Sequence, residues 1–264
     1  MIEISDLVKT FHHGSVNEVL ALSGINLKVR KGDFTTIIGS NGAGKSTLLN
    51  CLAGSTSIDS GHIAIDEADV SRWPEYRRAT LISRVFQDPL LGTCGSLSIE
   101  QNLALANRRG HNHGLGRGVR HSARELFRKQ LKQLGLGLEN RLKDKVGLLS
   151  GGQRQALTLL MATLIKPKIL LLDEHTAALD PKTAQQVLEL TQQLISGQHL
   201  TALMVTHNMR QALQLGNRLI MLHAGKIILD LAGQAKKDMT VDMLLEQFYK
   251  VRGEEFVSDR MLLI

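Results

Sequence analysis

Apolar and polar residues alternate at the start of the chain around Ile2 and Ile4, and a His12-His13-Gly14-Ser15 turn follows Phe11. Alternation returns over residues 22–29, with Ile25, Leu27 and Val29 on one face, and stops at a Lys31-Gly32-Asp33 turn. A period of two predicts strands with one face toward a core. Residues 34–38 form a short apolar strand, a glycine-rich loop covers 39–44, and a helix starts near Lys45 and runs past Leu52. Strand, glycine loop and helix in that order predict a phosphate-binding unit.

From about residue 90 to 165 the pattern becomes helical, with helix spacing over 100–106 and 123–134. Between them, Arg108-Arg109-Gly110-His111-Asn112-His113-Gly114 is glycine-rich and basic, which predicts an exposed loop. We read this region as a helical lobe inserted in an α/β core. The core resumes at Ile169-Leu170-Leu171-Leu172, a continuous apolar run that suits a strand covered on both faces, and 203–206 is similar. Residues 219–222 and 226–229 flank Ala224-Gly225 and predict a hairpin. A helical period returns over 241–249, and there is no internal repeat. The expected organisation is one domain over 1–240, with the helical part inserted, and a short helical tail over 241–264.

Length and composition narrow the class. The 264 residues suit one large domain or a domain with an inserted lobe. With 43% hydrophobic and 22% charged residues the chain can bury a core and is not of disordered type. Aromatics are only 3%, so that core rests on Leu, Ile, Val, Ala and Met. A net charge of +7 admits an anionic partner, whether nucleic acid or membrane surface, and equally admits simple solubility. Cys51 and Cys94 are the two cysteines, too few and too far apart for a disulfide framework or a metal cluster. Both are expected at ordinary buried positions in a reducing compartment. Met1-Ile2-Glu3-Ile4 does not open a signal peptide, and no run of about 18 apolar residues occurs. The chain is therefore not expected to cross a membrane itself.

Gly39-Ser40-Asn41-Gly42-Ala43-Gly44-Lys45-Ser46 fits G-x-x-x-x-G-K-[ST] in full. Glycines let the backbone take positive φ and approach phosphate oxygens, and the successive N–H groups form an anion nest at a helix N-terminus. Lys45 can reach the outer phosphates and the Ser46 hydroxyl can bind Mg²⁺. The strand at 169–172 ends in Asp173-Glu174, at the rim where α/β sheets bind ligands. Asp173 is the expected Mg²⁺ partner, and Glu174 the candidate for activating the attacking water. Taken alone, an acidic pair ending a strand needs no function; beside the lysine loop it gains one. His207 ends another such strand and could hold the water against the γ-phosphate. A second anion site is predicted at Leu149-Ser150-Gly151-Gly152-Gln153, where Ser150 can cap the following helix. One lysine loop with two anion sites suggests a nucleotide shared between two copies of the chain.

Together these motifs resemble the ATP-binding cassette (ABC) ATPases over nearly the whole chain, in the family's order. Gly39 to Ser46 looks like the Walker A loop, 169–173 the Walker B strand, and Gln87 in Val85-Phe86-Gln87-Asp88-Pro89 the Q-loop glutamine. Leu149 to Gln153 looks like the signature motif and Ala178-Leu179-Asp180 the D-loop. The resemblance implies a P-loop NTPase, RecA-like α/β core with an N-terminal antiparallel β-subdomain and an inserted α-helical signature subdomain. It implies ATP bound by Phe11 stacking on adenine and by Gly39, Ser40, Asn41, Gly42, Ala43, Gly44, Lys45, Ser46 and Thr47. From the other copy of a dimer it implies Ser150, Gly151, Gly152, Gln153 and Asp180. Ser46, Gln87 and Asp173 would hold Mg²⁺, and Glu174, His207, Gln87 and Lys45 would serve catalysis. Three positions depart from the family pattern: Phe11 for a tyrosine, His175 for a proline after the glutamate, and Ala156 for an arginine after the signature. His175 is expected to serve local packing.

The resemblance also implies transmembrane permease subunits, a homodimer of the ATPase, a periplasmic substrate-binding protein and a place on the cytoplasmic face of the inner membrane. It implies no nucleic-acid partner. Bacterial importers, those for amino acids included, are the most similar type; an exporter, a lipid transporter, a soluble cluster-assembly ATPase or a non-enzymatic nucleotide module are the alternatives. The basic residues Arg108, Arg109, Arg117, Arg120, Arg124, Arg128 and Lys129, set against Glu125, are expected to form a solvated face, with contact to anionic lipid headgroups or an acidic permease loop as the alternative.

Overall fold

The computed structural model describes residues 1–111, 118–119 and 121–252, the side chains of 251 and 252 excepted. The chain divides into two compact units, Met1–Arg78 together with Thr201 onward, and Ala79–Leu200. In chain order the first unit contributes β1 (Ile2–Phe11), β2 (Val19–Val29), β3 (Phe34–Gly39), α1 (Lys45–Ala53), β4 (Ser60–Ile65), β5 (Ala68–Asp69) and α2 (Glu75–Arg78). The second contributes β6 (Ile82–Val85), α3 (Ile99–Ala106), α4 (His121–Lys132), α5 (Gly151–Leu164), β7 (Ile169–Asp173) and α6 (Pro181–Gln198). The first unit then resumes with β8 (Thr201–Val205), α7 (Met209–Gln214), β9 (Arg218–His223), β10 (Lys226–Ala232), α8 (Gln234–Lys237) and α9 (Val241–Arg252).

In the first unit, β1 lies between β2 and β4 in an antiparallel sheet whose alternate residues Ile2, Ile4, Ile25, Leu27 and Val29 are buried. A second sheet places β3 between β8 and β9, parallel to both, with β10 antiparallel on β9. β3 and β8 are buried at every residue, which is why their sequences run apolar without alternation. The β9–β10 hairpin turns on Ala224 at φ 44° and Gly225 at φ 74°, the paired positive φ of a type I′ turn.

The far end of α1 is closed by a side chain that the pattern did not mark. Arg78 is buried, and its Nη1 donates to the carbonyls of Cys51 (2.6 Å) and Leu52 (3.0 Å). Its Nη2 and Nε donate to Ser71 (2.9 Å) and Trp73 (3.0 Å). Carbonyls that a helix leaves unsatisfied at its C-terminus are thus held by a cation, which the helix dipole also favours. The segment from 241 packs into the same unit: Leu244 and Phe248 of α9 are buried against Ile38, Met209, Leu219 and Met221.

The second unit pairs β6 with β7 in parallel and surrounds Phe127, Leu131, Leu138, Leu157 and Leu160 with helical surface. Helices α3, α5 and α6 start on side-chain caps. Ser98 caps α3 and Ser150 caps α5, each in a capping box with the glutamine three residues on, and Asp180 caps α6 ahead of Pro181.

The structure corrects two expectations. Cys51 is buried, but Cys94 is exposed. The basic stretch is not one solvated face. Arg109 donates to Ser83 and to the carbonyls of Ala162 (3.3 Å) and Ile165, closing the C-terminal end of α5. Burial pulls its guanidinium pKa below the ordinary value. Arg124 forms a two-pronged pair with Glu100 at 2.7 and 3.0 Å, while Arg128 pairs with Glu125. Asn112, His113, Gly114, Arg117, Arg120 and the tail beyond 252 lie outside the described residues.

If α9 is core, Phe248→Ala costs about 3–5 kcal/mol in urea unfolding. A loss below about 1 kcal/mol, the range of surface changes, would put the helix outside the core.

Candidate active site

In the first unit the site begins where β3 ends. Gly39 has φ 154°, and a Cβ there would stand 2.2 Å from the carbonyl oxygen of Leu222. Gly44 has φ 97°, and its Cβ would stand 2.4 Å from the carbonyl of Ala21. These glycines are needed for contact with the protein's own backbone, a requirement additional to phosphate approach. The loop is tied down by Ala43 N donating to Ser40 O (3.1 Å) and Gly225 N to Ala43 O (3.1 Å). Lys45 is buried, with Nζ donating to the carbonyls of Gly39 (2.8 Å) and Ser40 (2.9 Å). The ammonium therefore lies against the loop that it closes. Gly44, the N-cap of α1, supplies no side-chain cap. The helix thus presents backbone N–H groups at its positive end, together with Ser46 and Thr47 in its first turn.

His207 follows β8 on the same rim, because Ile37 and Val205 are partners in the parallel register and Thr206 N donates to Ile37 O (3.1 Å). It is held between two caps: Thr206 Oγ1 accepts from Asn208 N (3.1 Å), and Asn208 Oδ1 accepts from Gln211 N (3.0 Å) at the start of α7. Phe11 ends β1, with Lys9 Nζ 5.5 Å from its ring centroid.

In the second unit β7 is buried throughout and ends at Asp173, as the apolar run implied. Glu174 follows with φ 47°, a conformation uncommon for a residue with a side chain and concentrated at functional positions. Asp173 is paired: Nη2 of Arg84 on β6 donates to its Oδ2 at 2.7 Å. Gln87 stands exposed just beyond β6. The carbonyl before it, of Phe86, accepts from Nε2 of Gln155 at 3.3 Å, and Gln155 is fully buried in α5.

The turn at Ser150 has an additional neighbour. Ser150 Oγ accepts from Gln153 N and Gln153 Oε1 accepts from Ser150 N, both at 3.3 Å. A Cβ on Gly152 would stand 2.1 Å from Cγ2 of Thr183, and one on Gly151 3.4 Å from Leu179. The start of α6 therefore packs directly on these glycines. Asp180 caps that start through Thr183 N (3.1 Å), and hydrogen bonds from the Thr183 hydroxyl and from this backbone N–H hold its carboxyl below the usual range. Arg84, Gln155 and Thr183 were missed because such pairings depend on strand register and helix packing; the second glutamine in Gln153-Arg154-Gln155 was the only visible sign.

His175 carries no exposed chemistry. It is buried and its ring Nε2 lies 3.0 Å from Thr191 Oγ1, whose hydroxyl donates to Val187 O (2.7 Å). Because that hydroxyl's proton is used, Nε2 is the donor to it. Burial pushes the imidazole pKa down to about 4.

The family model described as ABC transporter matches residues 22–177, more than half of the chain. A tyrosine transport ATP-binding protein from Clostridioides difficile is 46% identical over 94% of this chain and 98% of its own length. The thiamine import ATP-binding protein ThiQ of Escherichia coli K12 is 33% identical over 86% of this chain and 90% of its own. Among solved structures, the dimeric post-hydrolysis ATP-binding cassette MJ0796 bound to ADP and Pi has a TM-score of 0.74 at 28% identity. It covers 88% of this chain and is itself covered to 98%. The chain belongs to the ABC transporter family, as an ATP-binding and ATP-hydrolysing cassette with the P-loop NTPase fold.

His175 gives a pH test. Its folded pKa lies below the unfolded value of 6.5, so the unfolded chain takes up its proton first as pH falls. The stability it contributes is complete above 6.5 and is lost between 6.5 and about 4. In urea unfolding, His175→Gln should remove about 2–3 kcal/mol of that pH dependence. An unchanged pH profile would place the imidazole in water.

Proposed function

We propose that the chain drives an importer through separate membrane permease subunits, acting as a homodimer on the cytoplasmic face of the membrane. An extracytoplasmic substrate-binding protein delivers the cargo, and amino acids are the cargo class. The observation that carries the amino-acid transport reading is the 46% identity, over nearly both full lengths, to a cassette named for tyrosine transport; the import direction is supported by relatives named for import, such as ThiQ at 33% identity. No described helix is long and apolar enough to cross a membrane, in keeping with permeases on other chains. The second unit supports docking of such a partner: Leu90 and Leu91, just beyond Gln87, are exposed. A cavity of about 200 Å³ is lined by Leu97, Gln101, Ala104, Leu105, Arg108 and Val119.

In this reading Gly39 to Ser46 and Thr47 bind the triphosphate, Lys45 binds its outer phosphates, and Phe11 stacks on adenine. Ser150, Gly151, Gly152, Gln153 and Asp180 meet the nucleotide of the other copy. Glu174 accepts the proton of the attacking water, and His207 and Gln87 position that water. The hydroxyl of Ser46, the amide oxygen of Gln87 and the carboxylate of Asp173 are oxygen donors of the kind Mg²⁺ takes. When bound, Mg²⁺ would supply positive charge against the phosphate oxygens.

Glu174→Gln is expected to keep ATP binding and lower turnover by about 10²–10⁴-fold, with dimer accumulating in ATP on size exclusion. Undiminished turnover would move water activation to another residue. Lys45→Ala should weaken ATP binding by roughly 10–100-fold in a fluorescent-nucleotide titration. Ser150→Arg should bind ATP as a monomer without closing. The transport reading is tested by mild detergent extraction: hydrophobic membrane subunits should co-purify, and a purely soluble complex would overturn it.

A further inference from the structure

Arg84 belongs to none of the motifs above. It stands on β6 in parallel register with Leu171 of β7, and its side chain reaches the end of that strand. There it meets Asp173 at 2.7 Å, with the two side chains only 15% and 12% exposed. At that burial neither bulk water nor salt screens the pair fully. Its guanidinium carbon also lies 4.7 Å from the ring centroid of Phe86, within cation–π range.

The segment that carries Arg84 is fixed at both ends. Ser83 is held by Arg109, and the carbonyl of Phe86 by the buried amide of Gln155. A side chain anchored in this way is aimed, and its geometry is part of the site instead of an accident of a mobile surface. Arg84, Asp173, Phe86 and Gln155 all lie in the second unit, so the arrangement is internal to it.

The geometry points to Arg84 as a positioning residue that weakens and directs the grip of Asp173 on a divalent cation. This rests on the reading of Asp173 as a metal-binding carboxylate. The reason is charge. A carboxylate shared with a guanidinium offers less negative potential to a second cation. A dication arriving at Asp173 is repelled by the +1 charge of Arg84 over about 6 Å, which even at the dielectric of water amounts to about tenfold in affinity. The cation is then retained only with the additional oxygens of a nucleotide, so it arrives and leaves with nucleotide instead of residing on the protein.

Mn²⁺ serves as the probe, its free concentration read by electron paramagnetic resonance with the full chain, alone and with ADP. Arg84→Met and Arg84→Gln should each bind Mn²⁺ about tenfold tighter than wild type, most clearly without nucleotide. Arg84→Lys keeps the charge and should stay within about threefold of wild type. Two substitutions guard against one failing to fold, and circular dichroism checks each. Loss of packing alone does not tighten metal binding. Equal or weaker Mn²⁺ binding in the folded Met and Gln proteins overturns the inference, as does a Lys protein that tightens as much as they do. Asp173→Asn separates the two readings. If it leaves Mn²⁺ binding unchanged, the assignment of Asp173 falls as well; if it weakens binding while the Arg84 variants do not tighten it, only the role of Arg84 falls.

Discussion

The contact on which the shape of the first unit's glycine loop depends is the ammonium of Lys45 lying on the carbonyls of Gly39 and Ser40. It requires a loop that folds back over the helix start, and that loop requires backbone shapes closed to most residues. Gly39 must lack a Cβ because the carbonyl oxygen of Leu222 lies 2.2 Å from where one would be, and Gly44 because that of Ala21 lies at 2.4 Å. β9 and β2 therefore mould the phosphate loop as much as the loop's own sequence does. The buried strands β3 and β8 provide the fixed edge from which Gly39 and His207 both emerge.

The second unit solves the same problem with side chains. Its carboxylates end a buried strand, and β6 beside it carries a series of polar ties to Arg109, Asp173 and, through the next carbonyl, Gln155. Hydrogen bonds to ionised groups are the stronger kind, and leaving one partner buried alone is costly. A short strand held this way joins the stretch just before Gln87 to Asp173 and to the helix behind the Ser150 turn through direct hydrogen bonds.

Much of this was legible in the chain itself, and for identifiable reasons. The phosphate loop is contiguous, so its chemistry is spelled out in eight successive residues. Buried strands advertise themselves by unbroken apolar runs, and the Ala224-Gly225 turn by the conformations it needs. Ser150 could be read as a helix cap because capping is local. What stayed hidden was non-local or depended on which way a side chain turns. Nothing in the composition of Arg108-Arg109-Gly110 separates a solvated arginine from the one that closes the end of α5. Arg84 meets Asp173 only through the β6–β7 register, 89 residues apart in sequence. Cys94 looked like Cys51 because an isolated cysteine carries no period from which to infer its side of the surface.

The packing of α6 on the signature turn has a bearing on how such a sequence can change. The methyl of Thr183 occupies the space that any side chain at residue 152 would need. Thr183 also holds the cap residue Asp180, through both its hydroxyl and its backbone N–H, so a smaller residue without a hydroxyl would keep only the backbone bond. A side chain at 152 therefore clashes for as long as residue 183 keeps its methyl. The two positions are thus sterically coupled through one methyl group, so that what residue 183 carries sets what residue 152 can hold.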